Sequence, residues 1–336
     1  MAKISITIPV YNGAKYLRDT LDSIMNQTFQ DWECICVDDG SSDDSLSILK
    51  EYEQKDIRFK VYKKSNGKWA SRTVKFALSN ATGDYWRYAS QDDIYSPDLL
   101  EKDIKRIEDT GADLCLPIMI WYDGGKIQDQ SISKQGGYIG YKGDLNAIIS
   151  GRESFLGSIG YRYIHGFALY KMSLIRQNGY FDYGYNSDSY TTRVLMISSK
   201  KVVFSDGVFY YRQNNPKAIT KAFSSIQFGA IDTNRKLREL VQEKHVEEAL
   251  PFINGQALRD IINLQVSIFA NKKIITRKDL LDFEKKIKEE WSFLRNQARI
   301  NQPTILKLFF LQSFSLFLFF SKLLYGKRMF VSKKIM

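Results

Sequence analysis

The sequence predicts an α/β fold: a mostly parallel central sheet with helices on both faces, followed by a helical, basic appendage. Three observations carry that prediction. Short β-branched, apolar runs alternate with helix-period stretches through the first 120 residues, the pattern of strand–helix–strand units. The runs are apolar throughout, as strands covered on both faces must be. Three of them end in polar or acidic segments, at the edge where open α/β sheets bind ligands. A chain of 336 residues holds one large domain plus an appendage.

The first strand is expected over Lys3–Val10 (KISITIPV) and the second over Trp32–Asp38 (WECICVD). Shorter runs follow at Arg58–Tyr62, Asp84–Ala89 and Asp113–Trp121, rich in the β-branched and aromatic residues that strands favour. Helices are expected near 14–27, 43–55, 68–80 and 97–109, where apolar residues recur three and four apart. Ser41 or Ser42 offers a cap for the second helix, and Ser96-Pro97 opens the fourth with proline in its first position. Cys34 and Cys36 lie two apart on one strand face and, with Cys115, read as core residues. Two histidines and three cysteines exclude a zinc ribbon or a disulfide scaffold. Met1-Ala2-Lys3 runs straight into the first apolar stretch, with no signal-peptide pattern, so a cytosolic start is expected.

The net charge of +11 is unevenly placed. Residues 271–336 hold 15 Lys/Arg and five Asp/Glu, leaving 34 basic and 33 acidic residues before them. The basic part also carries the Phe/Leu block Ile305–Phe320, flanked by Arg295, Arg299, Lys322, Lys327, Arg328, Lys333 and Lys334. Nucleic-acid sites interleave cations with polar and stacking groups; here apolar residues are bracketed by cations, which suits an anionic membrane surface. No nucleic-acid partner is expected. Gln312, Ser313 and Ser315 interrupt the block, so a helix lying in the cytoplasmic leaflet is favoured over a span, with a docked helix or an oligomer contact as the alternatives. The expected organisation is a catalytic domain over 1–225, in halves 1–112 and 113–225, a helical extension over 226–300, and a membrane-associating tail over 301–336.

The strand ends carry the chemistry. Pro9-Val10-Tyr11-Asn12-Gly13 follows the first strand, Asp38-Asp39-Gly40-Ser41-Ser42-Asp43 the second, and Ser90-Gln91-Asp92-Asp93 the fourth. Asp43 alone reads as a turn or cap residue. Several carboxylates along one sheet edge are costly without cations or donors to meet them. No GxxxxGK[ST], GxGxxG or GxSxG motif is present, which excludes a P-loop NTPase, an ordinary dinucleotide fold and a serine-hydrolase elbow. A carboxylate-held Mg²⁺ or Mn²⁺ gripping a diphosphate remains.

The ordered series IPVYN, Asn26-Gln27-Thr28, VDDGSSDDS, Ala81-Thr82-Gly83-Asp84-Tyr85 and SQDD resembles the family 2 glycosyltransferases with the GT-A fold. The resemblance covers about residues 3–220. It implies inverting, metal-dependent transfer of a sugar from a nucleotide-sugar, most simply a UDP-sugar, to a hydroxyl acceptor. By that resemblance Tyr11 and Asp39 cradle the nucleoside, with Pro9 and Asp38 supporting, and Arg72 reaches the nucleotide or pyrophosphate. The family's DxD metal motif is read as Ser90-Gln91-Asp92, leaving Asp92 as the carboxylate ligand of Mn²⁺ or Mg²⁺ and Asp93 behind it. Asp188 aligns with the family's general base, and Ser187 stands where an acid often precedes it. Lys68, Gln91, Asp93, His165 and Arg212 are further candidates for contacts to donor or acceptor. Family and tail together imply a lipid-linked saccharide acceptor, in bacterial surface-polysaccharide assembly at the inner face of the cell membrane. Transfer directly to polyprenyl phosphate, or a non-catalytic nucleotide-binding protein, are the alternatives the sequence leaves.

Overall fold

The computed structural model describes residues 2–67, 69–124, 138–139, 143–159, 164–216, 224–297, 300 and 310–333. Two compact units emerge: Met1–Tyr183 with Ser187–Asn215, and Gly184–Asn186 with Pro216–Met336.

The first unit is built on a mixed sheet. Its first strands are β1 (Ile4–Val10), β2 (Trp32–Asp38), β3 (Phe59–Lys63), β4 (Tyr85–Tyr88), β5 (Ile94–Tyr95) and β6 (Leu114–Tyr122). The later strands are β7 (Tyr138–Ile139), β8 (Ile148–Ile149), β9 (Leu169–Lys171) and β10 (Val202–Arg212). The order is β3-β2-β1-β4-β9-β6-β10-β5, with β7 on β6 and β8 on β10. Strands β3, β2, β1 and β4 run parallel. Antiparallel β9 separates them from the parallel pair β6–β10. Every residue of β1 and β2 is buried, as their apolar composition requires.

Helices α1 (Ala14–Met25), α2 (Ser45–Lys55), α3 (Ala70–Ser79) and α4 (Leu99–Thr110) connect the early strands. Each begins up to two residues later than the spacing suggests. Neither Ser41 nor Ser42 caps α2: the residue before the helix is Asp44, and Ser41 and Ser42 bond to the loop after β1 instead. Pro97 likewise precedes α4 rather than opening it. The later half adds α5 (Gly151–Ser158), α6 (Met172–Asn178) and α7 (Ser187–Ser198). A buried pair, Arg87 on β4 and Asp103 on α4 at 2.5 Å, joins sheet to helix. Asp103 also accepts from Ser205 and from the Cys115 thiol.

The second unit packs α8 (Gly229–Glu243), α9 (Leu250–Asn271), α10 (Arg277–Arg295) and α11 (Phe314–Lys333). Phe228 and Phe283 stack at 3.8 Å, and Trp291 donates its indole N–H to the Phe310 carbonyl at 2.7 Å. The tail helix does not lie apart from this unit. Phe310 and Phe317 are buried in the same core as Ile261, Ile287 and Trp291, so α11 is a docked helix. Ser313 breaks the chain ahead of it and caps it, accepting from Leu316 N–H at 3.2 Å.

Candidate functional site

Parallel strands place their carboxyl ends side by side, and here the register does so directly. Val10 pairs with Asp38 across β1–β2, and Thr7 with Tyr88 across β1–β4. The three loops beyond those ends are tied to one another by side chains. Asn12, at φ +49°, accepts from Ser42 N–H at 2.8 Å while its own N–H donates to the Ser41 hydroxyl at 3.0 Å. Asparagine is one of the few side-chain residues that tolerates this backbone region. Asp43 accepts from Ala14 N–H and from Ser45, the turn role its sequence context indicates.

Gln91 bridges the first and third loops. Its Oε1 accepts from Tyr11 N–H at 2.8 Å and its Nε2 donates to Tyr11 O at 3.2 Å. Both backbone groups of Tyr11 are thereby held while its ring stays 49% exposed. Gly13 makes this approach possible: a Cβ there would stand 2.4 Å from Gln91 Oε1.

The acidic pairs divide by environment. Asp38 is buried; one oxygen accepts from Ser41 N–H at 3.3 Å, and Oδ2 has no partner among the described residues. Asp39 Oδ1 accepts from Lys64 Nζ at 2.5 Å and from Gly67 N–H at 2.9 Å. Pro9 is buried in β1 opposite Val37, and the neighbouring Val10 carbonyl accepts from Asp39 N–H at 2.7 Å. Arg72 is exposed at the start of α3 and donates to Gly67 O at 3.4 Å. Lys68 lies outside the described residues.

Asp92 is half-buried, bonded by the Ser90 hydroxyl at 2.7 Å and by Asn215 Nδ2 at 2.7 Å. Asp93 is buried and accepts from Arg212 N–H at 2.9 Å. Burial first, then the neighbouring Asp92 charge, pushes its carboxyl well above the usual range. Arg212 is spent on this loop: Nε donates to Asp92 O at 2.6 Å and Nη2 to Asp19 at 2.8 Å, with its plane over Tyr16. Arg212 thus braces the Ser90–Asp93 loop against Asp19. His165 is also interior. Phe167 N–H donates to Nδ1, so the proton sits on Nε2 and is given to Pro117 O at 2.8 Å. Burial lowers its pKa to about 4.

Asp188 stands in the first turn of α7. The loop before it is stitched to the helix by the Thr191 hydroxyl, which accepts from Phe181 N–H, and by edge contacts of Phe181 and Tyr183 with Tyr190. Solvent reaches the Asp188 side chain, yet surrounding protein raises its pKa, opposed by the Ser189 N–H and by Arg193. That solvent contact tempers the shift. Tyr88 feels the Asp188 charge. Its hydroxyl is pushed up by burial and then by the charges of Asp188, Asp93 and Asp92. Tyr88 is the last residue of β4, so the charges of Asp188 and of the Asp92–Asp93 pair bear on one tyrosine.

Among the described residues no group of three or more His, Cys, Asp or Glu could hold a metal ion. A closed protein cage does not fit. A single partly exposed carboxylate at Asp92 does fit an ion that brings its own phosphate oxygens. Sequence reasoning missed Lys64, Ser45 and the bridging use of Gln91. Lys64 left a signal, since it is the last cation before the Asn66-Gly67 turn.

The glycosyl transferase family 2 model matches residues 5–179, more than half of the chain. Glycosyltransferase GlyG of Streptococcus pneumoniae is 32% identical over 120 residues, 36% of this chain and 40% of that protein. GlyA of the same organism is 37% identical over 115 residues, 34% of this chain and 16% of GlyA. The chain thus spans less than half the length of these relatives. Staphylococcus aureus TarS (residues 1–349), in complex with UDP-GlcNAc, aligns with TM-score 0.62 at 16% identity, covering 91% of this chain and 83% of that one. The mannosyltransferase PcManGT of Pyrobaculum calidifontis, with GDP-Man and Mn²⁺, gives TM-score 0.52 at 15% identity, covering 88% and 84%. With its motifs at the carboxyl edge of a GT-A sheet and the family model matched across that half, the chain belongs to glycosyl transferase family 2.

Proposed function

We propose that the protein is an inverting glycosyltransferase that moves a sugar from a UDP-sugar to a hydroxyl of a lipid-linked glycan. The carrying observation is the carboxyl edge of the sheet, where the loops after β1, β2 and β4, tied to one another through Asn12 and Gln91, carry Tyr11, Asp39 and Asp92. An in-line displacement at a sugar carbon needs a base on one side of that carbon and the leaving group on the other, roles this reading gives to Asp188 and to the Asp92 loop.

Tyr11, with its backbone fixed and its ring exposed, offers a stacking face to a base, and Asp39 Oδ2, free of partners among the described residues, accepts its N3–H. Arg72 meets the phosphates. Asp188 takes the acceptor hydroxyl proton; its raised pKa keeps it a competent base nearer neutral pH than an ordinary aspartate. The oxygen then attacks the anomeric carbon from the face opposite the diphosphate, which inverts it. Asp92 would hold Mn²⁺ or Mg²⁺, which supplies charge stabilisation to the departing diphosphate. The TarS complex with UDP-GlcNAc and the PcManGT complex with Mn²⁺ support the donor class and the ion. The cationic second unit supports residence at the inner membrane surface, beside an acceptor anchored there.

Calorimetric titration of UDP with and without Mn²⁺, on wild type and Asp92→Asn, tests the donor site. Metal-enhanced binding that disappears in the variant is expected. Equal UDP binding with and without Mn²⁺ in wild type would remove Asp92 from the metal role.

A further inference from the structure

Helix α11 has two faces, and only one is satisfied. Phe317 and Ser321 are buried, and Phe314, Phe320 and Leu324 pack against the core of the second unit. On the opposite side Leu316, Phe319 and Leu323 are 37%, 56% and 49% exposed, at the i, i+3, i+7 spacing that makes one stripe. Lys322 is exposed beside them. After Glu290 the sequence has eight Lys/Arg and no Asp or Glu, so no carboxylate from this stretch opposes an anionic partner. No described helix is long and apolar enough to cross a membrane, and the docked inner face keeps α11 from inserting whole.

We propose that the Leu316/Phe319/Leu323 stripe is the contact with an anionic bilayer, its three side chains entering the acyl boundary while Lys322 and the excess of cations in this stretch of sequence favour anionic headgroups. This rests on the membrane residence proposed above and specifies it: the protein stays folded on the surface and touches it through one stripe, rather than by releasing the tail. Apolar insertion and cation attraction contribute together, so neither alone should suffice. Charge complementarity favours a bilayer over a second copy, which would set these cations against one another.

Truncating the tail would strip Phe310 and Phe317 from the core, so the test uses outward-facing positions only. Full-length wild type and a Leu316→Ser/Phe319→Ser/Leu323→Ser variant are floated with phosphatidylcholine vesicles, and with vesicles of equal parts phosphatidylcholine and phosphatidylglycerol. UDP affinity, melting temperature and sedimentation are measured in parallel. Wild type should float only with the anionic vesicles, and the variant should bind them at least ~10-fold more weakly with UDP affinity and melting unchanged. Equal flotation of the two proteins overturns the proposal, as does wild type that ignores both vesicles. A wild-type dimer that the variant abolishes, without lipid binding, assigns the stripe to a second copy and overturns it too. Wild type that floats with the anionic vesicles better than the variant does, yet binds no UDP, would count against the donor-site reading and leave the stripe standing.

Discussion

Replacing Gln91 with methionine removes one acceptor and one donor from the Tyr11 backbone while nearly preserving side-chain length. Each bond contributes about 0.5–1.5 kcal/mol net. Tyr11 is half exposed, so water can take over both backbone groups, and the total belongs in the lower part of that range, about 1–2 kcal/mol. That loss should appear in ligand binding more than in folding, because the released loop must be reordered when a nucleotide arrives. A change of 1–2 kcal/mol corresponds to roughly 5–30-fold in UDP affinity. Calorimetry of UDP with Mn²⁺, beside a melting curve, reads both quantities. Gln91→Glu keeps the acceptor for Tyr11 N–H and loses the donor to Tyr11 O at neutral pH, so it should bind UDP worse than wild type. UDP affinity within twofold of wild type in Gln91→Met would refute the view that this amide organises the nucleotide edge.

Two further outcomes follow from the same geometry. Asp188→Asn should lower kcat by roughly 10²-fold or more. In wild type the base must be ionised and burial raises its pKa, so kcat/KM should fall with decreasing pH at a value above the usual aspartate range near ~3.9; an unchanged kcat in the variant assigns the proton to another group. Arg87→Met should destabilise the fold by about 3–5 kcal/mol, because it strands the Asp103 carboxylate in the core. Arg87→Met/Asp103→Leu should recover most of that in denaturant unfolding, and a single variant within ~1 kcal/mol of wild type would mean the pair is not carrying the joint between β4 and α4.

What was legible in the sequence was whatever depends on local pattern and strand order. β1 and β2 are fully buried runs whose apolar composition identifies them, and parallel register then places Tyr11, Asp38 and Asp39 at one edge without further information. Asp92 and Asp188 were singled out by the family resemblance, and the charges of both bear on Tyr88. Less legible were residues whose role is fixed by a distant partner. Arg212 has a strong sequence signal for an anion contact, yet Asp92, Asp93 and Asp19 lie more than a hundred residues away in the chain and claim its donors. His165 is similar: Pro117 and Phe167 absorb both ring nitrogens. The tail shows the same limit at larger scale. An amphipathic helix flanked by cations has the same composition whether its apolar side meets lipid or protein, and only the position of Trp291 and Ile287 decides that Phe317 turns inward.

The cross-loop bonding has a consequence for exchanging parts between relatives. Beyond its own Ser90–Asp92 bond, the Ser90–Asp93 loop is braced by Tyr11 from one side and by Arg212 and Asn215 from the other, and Gly13 leaves it room. A chimera that imports this loop alone receives its side chains without their scaffolding. The transplantable module is discontinuous, comprising 11–13, 41–45, 90–93 and 212–215, and inheritance of donor chemistry in such a protein is a matter of four short segments moving together.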